Sequence, residues 1–409
     1  MNGFVHQHRN IDAYASTEDA VPVRERCQQS LEVELRELSK CEDVLSDWLR
    51  LCDRAKDPNP YYCPSFLFAS AEHLVRGLQC HVVLVWEGKF PRTLVGLFPV
   101  AIKGLRHGYI QPICELWNDC VTGISVPLIS GENVDAVWSS FLKFVSNHPK
   151  FPDIVHCPQI CPHSHSGQAL QSLGHCQELI NVVDETHERA IARPVASYRA
   201  YAKRWSKKRQ VNIRTAKRKL TDRGTLSLET VYPGEKTFSD DLDELLRLEA
   251  SGWKGKRRTA FNSRPESRKF ALNAFNPEGL PSAAQLTVLR FNGQIIAGLF
   301  NLTSQGHVFG VRSGFDEAYS AFSPGILAYV GLLEHLLEYD GHRELDSCTD
   351  GSHLLNKYWL ERKTIEGVYV TAEVESGARR IERVLSLRNA VKRGRDHCEV
   401  LLNRMRQKG

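Results

Sequence analysis

Side chains that can exchange a proton near neutral pH lie in and after one short run, residues 343–347, that is predicted to be a strand. Asp346 lies in this run, and Asp350, His353 and Tyr358 follow it closely. An imidazole titrates near neutral pH, a carboxylate can accept a proton and a phenol can donate one, so the group is suited to acid–base chemistry. We therefore take Asp346, His353 and Tyr358 as candidate catalytic residues.

Each of these side chains also has a structural interpretation. His353 would lie at the start of a predicted helix, where histidines are often surface residues, and Asp350 suits an Asp-Gly turn. Tyr358 can donate a proton or pack beside the tryptophan that follows it. Asp346 is the first candidate, because it ends a predicted strand whose preceding leucine is expected to be buried.

Three predicted strands precede these residues and would position them. Apolar runs at 285–290 and 294–301 are joined through the Asn-Gly pair at 292–293, a strong signal for a tight hairpin. A third run at 307–313 extends the pair into an antiparallel meander, and residues 343–347 return the chain to the same sheet.

A predicted helix lies between the third and fourth of these strands. From Ser323 onward, apolar residues recur at steps of three and four, with Pro324 in the first helical position and Gly341 just past the end. The first turn of a helix can hold a phosphate, and since Pro324 lacks an N–H, Gly325 and Ile326 would supply the donors. Such helices also occur without any ligand, so both interpretations stay open.

This order of elements resembles the GNAT N-acyltransferase superfamily, and more narrowly its CelD/BcsL-like branch. The similarity rests on the Tyr-Ser-Ala-Phe-Ser-Pro-Gly run at 319–325, on the Leu-Asp pair at 345–346 and on two further runs, 59–66 and 248–255. It spans residues 31–375. The resemblance implies an α/β (α+β) fold of two tandem GNAT-like lobes, each with a mixed, mainly antiparallel sheet flanked by helices.

The resemblance also implies an N-acyltransferase that moves an acyl group from a thioester to a small-molecule amine. The branch suggests a place in exopolysaccharide or cell-envelope metabolism. The donor would be acyl-CoA, such as acetyl-CoA, or an acidic acyl carrier protein. The expected donor-binding residues are Val311, Arg312, Ser313, Ser323, Gly325 and Ile326. The segment 321–325 keeps one glycine where many GNAT enzymes have R/Q-x-x-G-x-G/A, which leaves room for a carrier other than coenzyme A.

Trp253 and Lys254 are expected, by the same resemblance, to border the acceptor site. Trp253 could pack over a bound substrate or be a core aromatic at a helix end. Two other functions stay open: a non-catalytic GNAT-like scaffold of a polysaccharide-synthesis assembly, and an aminoacyl-tRNA-dependent transferase like the Fem-type members of the superfamily.

The most basic part of the chain is residues 199–223, where only Asp222 opposes eleven lysines and arginines. Aromatic and apolar residues at helical spacing predict one or two helices with a basic outer face. That face could be merely solvated, could dock an anionic substrate or acidic carrier, or could bind RNA. The sequence contains no dedicated nucleic-acid motif, so we do not expect a nucleic acid as partner.

The amino-acid composition limits the possible size, partners and location of the protein. A chain of 409 residues, 42% of them hydrophobic, is long enough for two lobes, and a net charge of +5 indicates no particular partner. Its twelve cysteines are scattered, which predicts reduced thiols rather than a disulfide framework. There is no apolar run of about 18 residues and no signal-peptide pattern, so we expect a cytoplasmic protein without a membrane span.

The domain prediction has four parts. Residues 1–28 are a disordered tail, 29–190 the N-terminal lobe, 191–375 the C-terminal acyltransferase lobe and 376–409 a final helix. The lobe boundary lies where the composition turns polar, at 183–196. The N-terminal lobe shows predicted strands at 31–35, 81–86 and 93–102, predicted helices at 44–54, 66–74 and 134–145, and no cofactor loop.

A metal site was considered for residues 156–176, which contain His156, Cys157, Cys161, His163, His165, His175 and Cys176. Four such ligands could fill a tetrahedral zinc site. The spacing matches no common zinc finger, however, and two prolines stiffen the loop. We therefore expect no metal, and interpret the segment as a strand end and a loop that crosses between the lobes.

Overall fold

The computed structural model describes residues 30–75, 77–338 and 342–406. The predicted disordered tail, 1–28, and the predicted helix-ending Gly341 lie outside these ranges.

The N-terminal lobe is a mixed sheet with helices on both faces. Its strands are β1 (Leu31–Glu37), β2 (His81–Glu87), β3 (Thr93–Lys103), β4 (Ile113–Leu116), β5 (Leu128–Ile129), β6 (Val155–Ile160) and β7 (Ile180–Ala192). Its helices are α1 (Leu45–Arg54), α2 (Pro64–His73), α3 (Val134–Asn147) and α4 (His165–His175). The predicted strands and helices of this lobe are all present. Residues 156–165, however, form β6 and the approach to α4 within this lobe, so the interpretation as a crossing between lobes is wrong.

The C-terminal lobe repeats the mixed architecture. Its strands are β8 (Leu226–Val231), β9 (Ala284–Phe291), β10 (Gln294–Ser304), β11 (His307–Phe315), β12 (Glu344–Asp346) and β13 (Glu361–Thr371). Its helices are α5 (Tyr198–Lys203), α6 (Lys207–Thr221), α7 (Phe238–Ser251), α8 (Trp253–Lys256), α9 (Pro265–Phe275), α10 (Pro324–Glu338) and α11 (Gly377–Arg406). The predicted meander, the helix beginning at Pro324 and the strand that ends at Asp346 are confirmed.

One continuous sheet runs through both lobes, in the order β1-β2-β3-β4-β6-β13-β7-β12-β11-β10-β9-β8. Strand β13 comes from the end of the chain but lies between β6 and β7, and pairs antiparallel with both. The last residues of β7 then pair with β12, Asp346 opposite Ile191. Each lobe therefore depends on a strand that the other part of the chain supplies, which supports the tandem fold class.

Neither β7 nor β13 was predicted as a strand. The polar residues 184–188, interpreted as a lobe boundary, lie in the part of β7 that is mostly exposed, and the boundary at 190/191 falls inside this strand. A helix was expected from residue 352, but the chain makes only a short 3-10 turn, Leu354–Lys357, before entering β13. Because residues 181–188 are mostly exposed, β7 lacks the apolar pattern by which strands are recognised.

The two lobes share part of one hydrophobic core. Helices α2 and α9 pack together, and Phe66 meets Phe270 edge to face at 5.3 Å. Tyr61, beside α2, also contacts Phe309 of β11, with ring centroids 6.2 Å apart. This shared core fixes N-terminal residues close to strand β11.

The basic segment forms α5 and α6, as predicted, and its apolar residues Tyr201, Trp205, Ile213 and Leu220 are buried. Cys52, Cys80 and Cys114 are buried free thiols, as expected. Among the helices in the described ranges, none has both the length and the apolar character that crossing a membrane requires.

Candidate functional site

The central feature of the C-terminal lobe is a gap that opens between two parallel strands. Strands β11 and β12 pair from His307 opposite Glu344 to Phe309 opposite Asp346, and then separate as β11 continues. The register between β10 and β11 shifts at this level, which leaves Val311 as an extra, bulged residue. Bulges bend a strand and often adjoin active sites, so the sequence builds the divergence locally.

Beyond Phe309, the edge of β11 that faced β12 has no strand partner in the described part of the chain. Gly310 lies at the narrow end of the gap, where a Cβ would be 3.1 Å from the Ser347 carbonyl oxygen. The Tyr61 hydroxyl is 3.5 Å from the Gly310 carbonyl oxygen. Burial raises the pKa of Tyr61, so its hydroxyl stays protonated and can donate there.

Asn59 positions Tyr61. Its side-chain oxygen accepts a hydrogen bond from the Tyr61 N–H at 3.0 Å, and its amide donates to the Val126 carbonyl at 2.7 Å. The run 59–66, which the sequence analysis used only as a sign of resemblance, thus places a hydroxyl at the base of the gap.

Asp346 is held by two cations. Its carboxylate lies 2.7 Å from Nε of Arg189 and 3.0 Å from Nζ of Lys363, and it accepts the Cys348 N–H at 3.0 Å. Burial alone would raise the pKa of Asp346, but the charges of Arg189 and Lys363 outweigh it and hold that pKa well below its usual range. The geometry therefore favours a positioning role over the proton-handling role expected from the sequence.

His353 precedes the short turn that follows β12 and is half-buried. Its Nδ1 accepts the Leu355 N–H at 3.3 Å, so a neutral ring carries its proton on Nε2. Burial lowers the pKa of His353, and the charge of Lys254 lowers it further against the opposing effect of Asp350. The ring centroid lies 6.4 Å from that of Tyr329 on α10. The structure thus places His353 near α8 and α10, as a neutral N–H donor.

Tyr358 lies in a different environment. Its ring packs edge to face against Trp205, with centroids 5.8 Å apart, and its carbonyl oxygen accepts the Trp205 indole N–H at 2.8 Å. Both contacts tie Tyr358 to the junction of α5 and α6. The three candidate catalytic residues are therefore not gathered around one point.

A second group of charged residues flanks the open part of β11. Glu249 of α7 is buried, and its Oε1 lies 3.6 Å from Nζ of Lys254 and 3.5 Å from Nη1 of Arg312. Lys254 also donates to the Ser313 carbonyl oxygen at 2.6 Å. Burial lowers the pKa of Lys254, although the adjacent Glu249 opposes this shift. A lysine that gives up its proton more readily than usual therefore lies against the diverging strand.

The expected donor and acceptor residues have distinct surroundings. The Arg312 side chain donates to the Thr259 carbonyl at 2.6 Å, which leaves the backbone of this strand as the part available to a ligand. Trp253 is 47% exposed, so the interpretation as a core aromatic is wrong. It stands on α8 beside Lys254, with the Arg257 guanidinium 5.3 Å from its ring centroid.

The start of α10 offers fewer free donors than expected. Ser323 has a left-handed backbone with φ of 51°, and its carbonyl oxygen accepts the Ile326 N–H at 3.0 Å. Pro324 has no N–H, so in the first turn of the described helix Gly325 alone keeps an unpaired N–H. This helix end can therefore contribute one hydrogen bond to a phosphate rather than a full cradle.

Several residues at the site were not identified as functional from the sequence. Glu249 and Tyr61 lie in runs that carried the resemblance, but nothing in their spacing marked them individually. Arg189 lies in the polar segment interpreted as a boundary, and Tyr329 was part of a helix interpreted only through its apolar positions. Each acquires its role from a partner that is distant in sequence.

The side chains weighed as zinc ligands have different surroundings. His156 pairs with Glu115, its Nδ1 2.9 Å from Oε2, while Cys157 is buried in the hydrophobic core. In the ranges that the structure describes, no group of three or more histidine, cysteine, aspartate or glutamate side chains has an arrangement that could hold a metal ion.

A known protein family matches the part of the chain that contains β11 and β12. Residues 206–354 match the acetyltransferase (GNAT) domain family. The match begins before α6 and ends after β12, so it contains the whole divergence of β11 and β12. The narrower resemblance to the CelD/BcsL-like branch stays a prediction. No curated protein sequence matches the chain.

Some solved structures are similar to this chain over most of its length. The crystal structure of FemX superposes with a TM-score of 0.50 at 9% identity, over 79% of this chain and 95% of that one. A conserved protein of unknown function from Bacteroides thetaiotaomicron VPI-5482 has a TM-score of 0.48 at 12% identity, over 83% and 99%. A tandem GNAT protein from the clavulanic acid biosynthesis pathway has 0.38 at 12%, over 84% and 98%. The likeness to FemX shows a shared fold and nothing further.

Proposed function

We propose that the protein is an N-acyltransferase that moves an acyl group from a thioester, acyl-CoA or an acyl carrier protein, to a small-molecule amine. The observation that carries this proposal is the bulged divergence of β11 from β12 inside the GNAT domain. An extended donor can lie along the unpaired edge of β11, where Val311, Arg312 and Ser313 present backbone groups. The exopolysaccharide or cell-envelope context and the cytoplasmic location belong to this proposal.

The reaction needs an uncharged amine. Its nitrogen attacks the thioester carbon, the carbon–sulfur bond breaks, and the nitrogen loses a proton while the leaving thiolate gains one. Lys254 is the group that we assign to proton removal, because its lowered pKa increases the neutral fraction and it lies against Ser313. The neutral His353, which donates through Nε2, is assigned to the departing sulfur or the acyl oxygen.

The donor end of the site accommodates either thioester. Gly325 offers one free N–H at the start of α10, which suits a single phosphate oxygen of coenzyme A or of a carrier's phosphopantetheine arm. Trp253 is exposed beside Lys254 and can cover an acceptor in that position. Asp346, with Arg189, holds the end of β12 and so keeps the gap open. We expect no metal in this chemistry.

The activity is tested by offering a broad amine panel with acetyl-CoA, longer acyl-CoA and acylated carrier protein, and identifying products by mass. We expect at least one amine to gain the acyl mass, and Lys254→Met to lower turnover by about 10²-fold or more. The matched control is Lys256→Met on the same helix, an exposed lysine paired with Glu317. Equal loss in both variants, or no product from any donor, would contradict the proposal and favour the scaffold interpretation.

A second candidate donor is supported by the basic surface of α5 and α6. Arg204 and Lys217 pair with Glu361 and Glu334. The other exposed lysines and arginines of this surface have no carboxylate partner within the described ranges; they are Arg199, Lys203, Lys207, Lys208, Arg214, Arg218, Lys219 and Arg223. Such a surface attracts an acidic carrier protein or an aminoacyl-tRNA. Added salt should then lower the rate of acyl transfer steeply from a macromolecular donor but not from acetyl-CoA. That result would favour a macromolecular donor bound by this surface.

A further inference from the structure

A polar cavity of about 470 Å³ lies in the N-terminal lobe, where it meets the loop that follows β12. Glu115, His156 and Gln159 line it from β4 and β6, Gly367 from β13, and Asp350 from the loop. The proposed acyl transfer uses none of these side chains. The exchanged strand β13 forms part of its wall, so the cavity exists only because the two lobes share one sheet.

The floor of this cavity holds an ordered imidazole. His156 Nδ1 lies 2.9 Å from Oε2 of Glu115, and Oε1 of Glu115 lies 3.4 Å from Nζ of Lys103. Burial alone would raise the pKa of Glu115, but the hydrogen bond and charge of His156, with Lys103, lower it. An ionised carboxylate only accepts hydrogen bonds, so Nδ1 of His156 donates to Glu115 and Nε2 is the ring nitrogen left for a ligand.

Nε2 is close to the strand that carries Gly367. A register shift between β13 and β6 occurs at this glycine, and a Cβ there would be 3.5 Å from Nε2 of His156. The His156 side chain is 8% exposed, yet no described residue hydrogen-bonds its Nε2. Stacking on Tyr369, with centroids 4.2 Å apart and an interplanar angle of 14°, fixes the ring. A ring nitrogen that faces the cavity is thus held in place without a hydrogen-bond partner among the described residues.

The carboxylate of Asp350 lies at the mouth of the cavity. The Asp350 carboxylate accepts the Ser352 N–H at 2.8 Å, and its hydrogen bonds with Ser352 lower its pKa, so it is ionised at neutral pH. It forms no ion pair with any lysine or arginine of the described chain. An ionised carboxylate and an imidazole nitrogen that has no other partner together suit a ligand with an ammonium and a hydroxyl group, since a hydroxyl can donate or accept a hydrogen bond.

We propose that this interlobe cavity is a binding site for a small molecule that carries an ammonium group and hydroxyl groups. Nε2 of His156 forms a hydrogen bond with a hydroxyl, and Asp350 pairs with the ammonium. The cavity adjoins the end of β12, since Arg189 and Cys348 also line it, but the acyl transfer proposed above gives no role to His156 or Asp350, so occupancy of the cavity can be measured without it.

The test uses glucosamine as the probe and diethyl pyrocarbonate, which modifies accessible neutral imidazoles, as the reporter. Peptide mass spectrometry follows His156, while the exposed His163 corrects for reagent that the amine consumes. We expect His156 to react and glucosamine to slow its reaction severalfold relative to His163. N-acetylglucosamine, which lacks the ammonium, should protect much less.

Two variants complete the test. Asp350→Asn should remove the advantage of glucosamine over N-acetylglucosamine, and Gly367→Ala should slow modification of His156 because its methyl group lies in front of Nε2. Thermal unfolding of each variant confirms that it folds. The proposal is overturned if His156 does not react in the parent protein, if glucosamine gives no protection, or if Asp350→Asn leaves the difference between the two sugars unchanged.

Discussion

Arg189 and Asp346 form a buried ion pair that joins the two lobes, with Nη2 of the arginine donating to Oδ2 of the aspartate at 2.7 Å. Arg189 lies on β7, the long strand that pairs with β13 along one edge and, at its last two residues, with β12 along the other edge. Asp346 is the last residue of β12 and lies where β11 departs. The pair therefore fixes the point at which the proposed donor site opens.

We expect Asp346→Asn to destabilise the protein far more than it impairs turnover. Breaking one partner of a buried ion pair leaves an uncompensated charge and typically costs about 3–5 kcal/mol. Because the carboxylate is paired with Arg189 and Lys363 already, turnover per folded molecule should fall by less than about 10-fold, below the usual effect of removing a general base. Urea unfolding measures the loss of stability, and the turnover rate per folded molecule measures the loss of activity. A loss of about 10³ with unchanged stability would restore Asp346 as a proton-handling residue.

The same ion pair makes stability depend on pH. The folded-state pKa of Asp346 lies well below its unfolded value of about 3.9, so its contribution is fully present above that value and is lost as the pH falls below it. The stability difference between the parent protein and Asp346→Asn should therefore shrink below about pH 4. Urea titrations at a series of pH values measure it. A difference that stays constant down to the acid limit of folding would contradict the assignment.

The two remaining candidate residues should behave differently. His353→Gln removes the Nε2–H donor and should lower turnover by about 10²-fold if that donor assists the leaving group. Tyr358→Phe keeps the ring that packs on Trp205 and should leave turnover within a few-fold. The pair thus serves as variant and matched control. Equal, small effects in both would remove His353 from the chemistry.

A donor phosphate at the start of α10 can be tested through stability. Acetyl-CoA should raise the melting temperature of the parent protein, because a ligand that binds only the folded state stabilises it. Gly325→Glu places a negative charge beside the free N–H and should abolish that rise. Gly325→Ala is the control, since its Cβ would lie 3.5 Å from the Phe315 ring, an ordinary contact. An undiminished rise in Gly325→Glu would exclude this helix end from the donor site.

The sequence predicted those elements whose signal is local. The hairpin of β9 and β10 was found because an Asn-Gly turn joins two apolar runs, and α10 because Pro324 and an apolar period mark its start. The role of Asp346 could not be predicted, because its partner Arg189 lies far away in the chain on a strand with a polar composition.

The insertion of β13 between β6 and β7 could not be predicted for a related reason. The residues of β7 before Arg189 are mostly exposed, so β7 lacks the apolar alternation of a half-buried strand. Strand β13 is polar over its first four residues and becomes mostly buried from Ile365 onward. The cavity around His156 depends on that insertion. Its histidine was considered only as a metal ligand, since Glu115 and Gly367 become its neighbours only through the sheet order.

Hydrogen–deuterium exchange with bound donor tests the location of the thioester site most directly. Acetyl-CoA or acylated carrier protein should slow exchange in peptides that cover β11, His307–Phe315, because a donor on its open edge protects amides that no strand covers. Peptides from β9, whose two edges pair with β8 and β10, serve as the control. Protection that spares β11 and appears only elsewhere, or no protection with either donor, would contradict the proposed site.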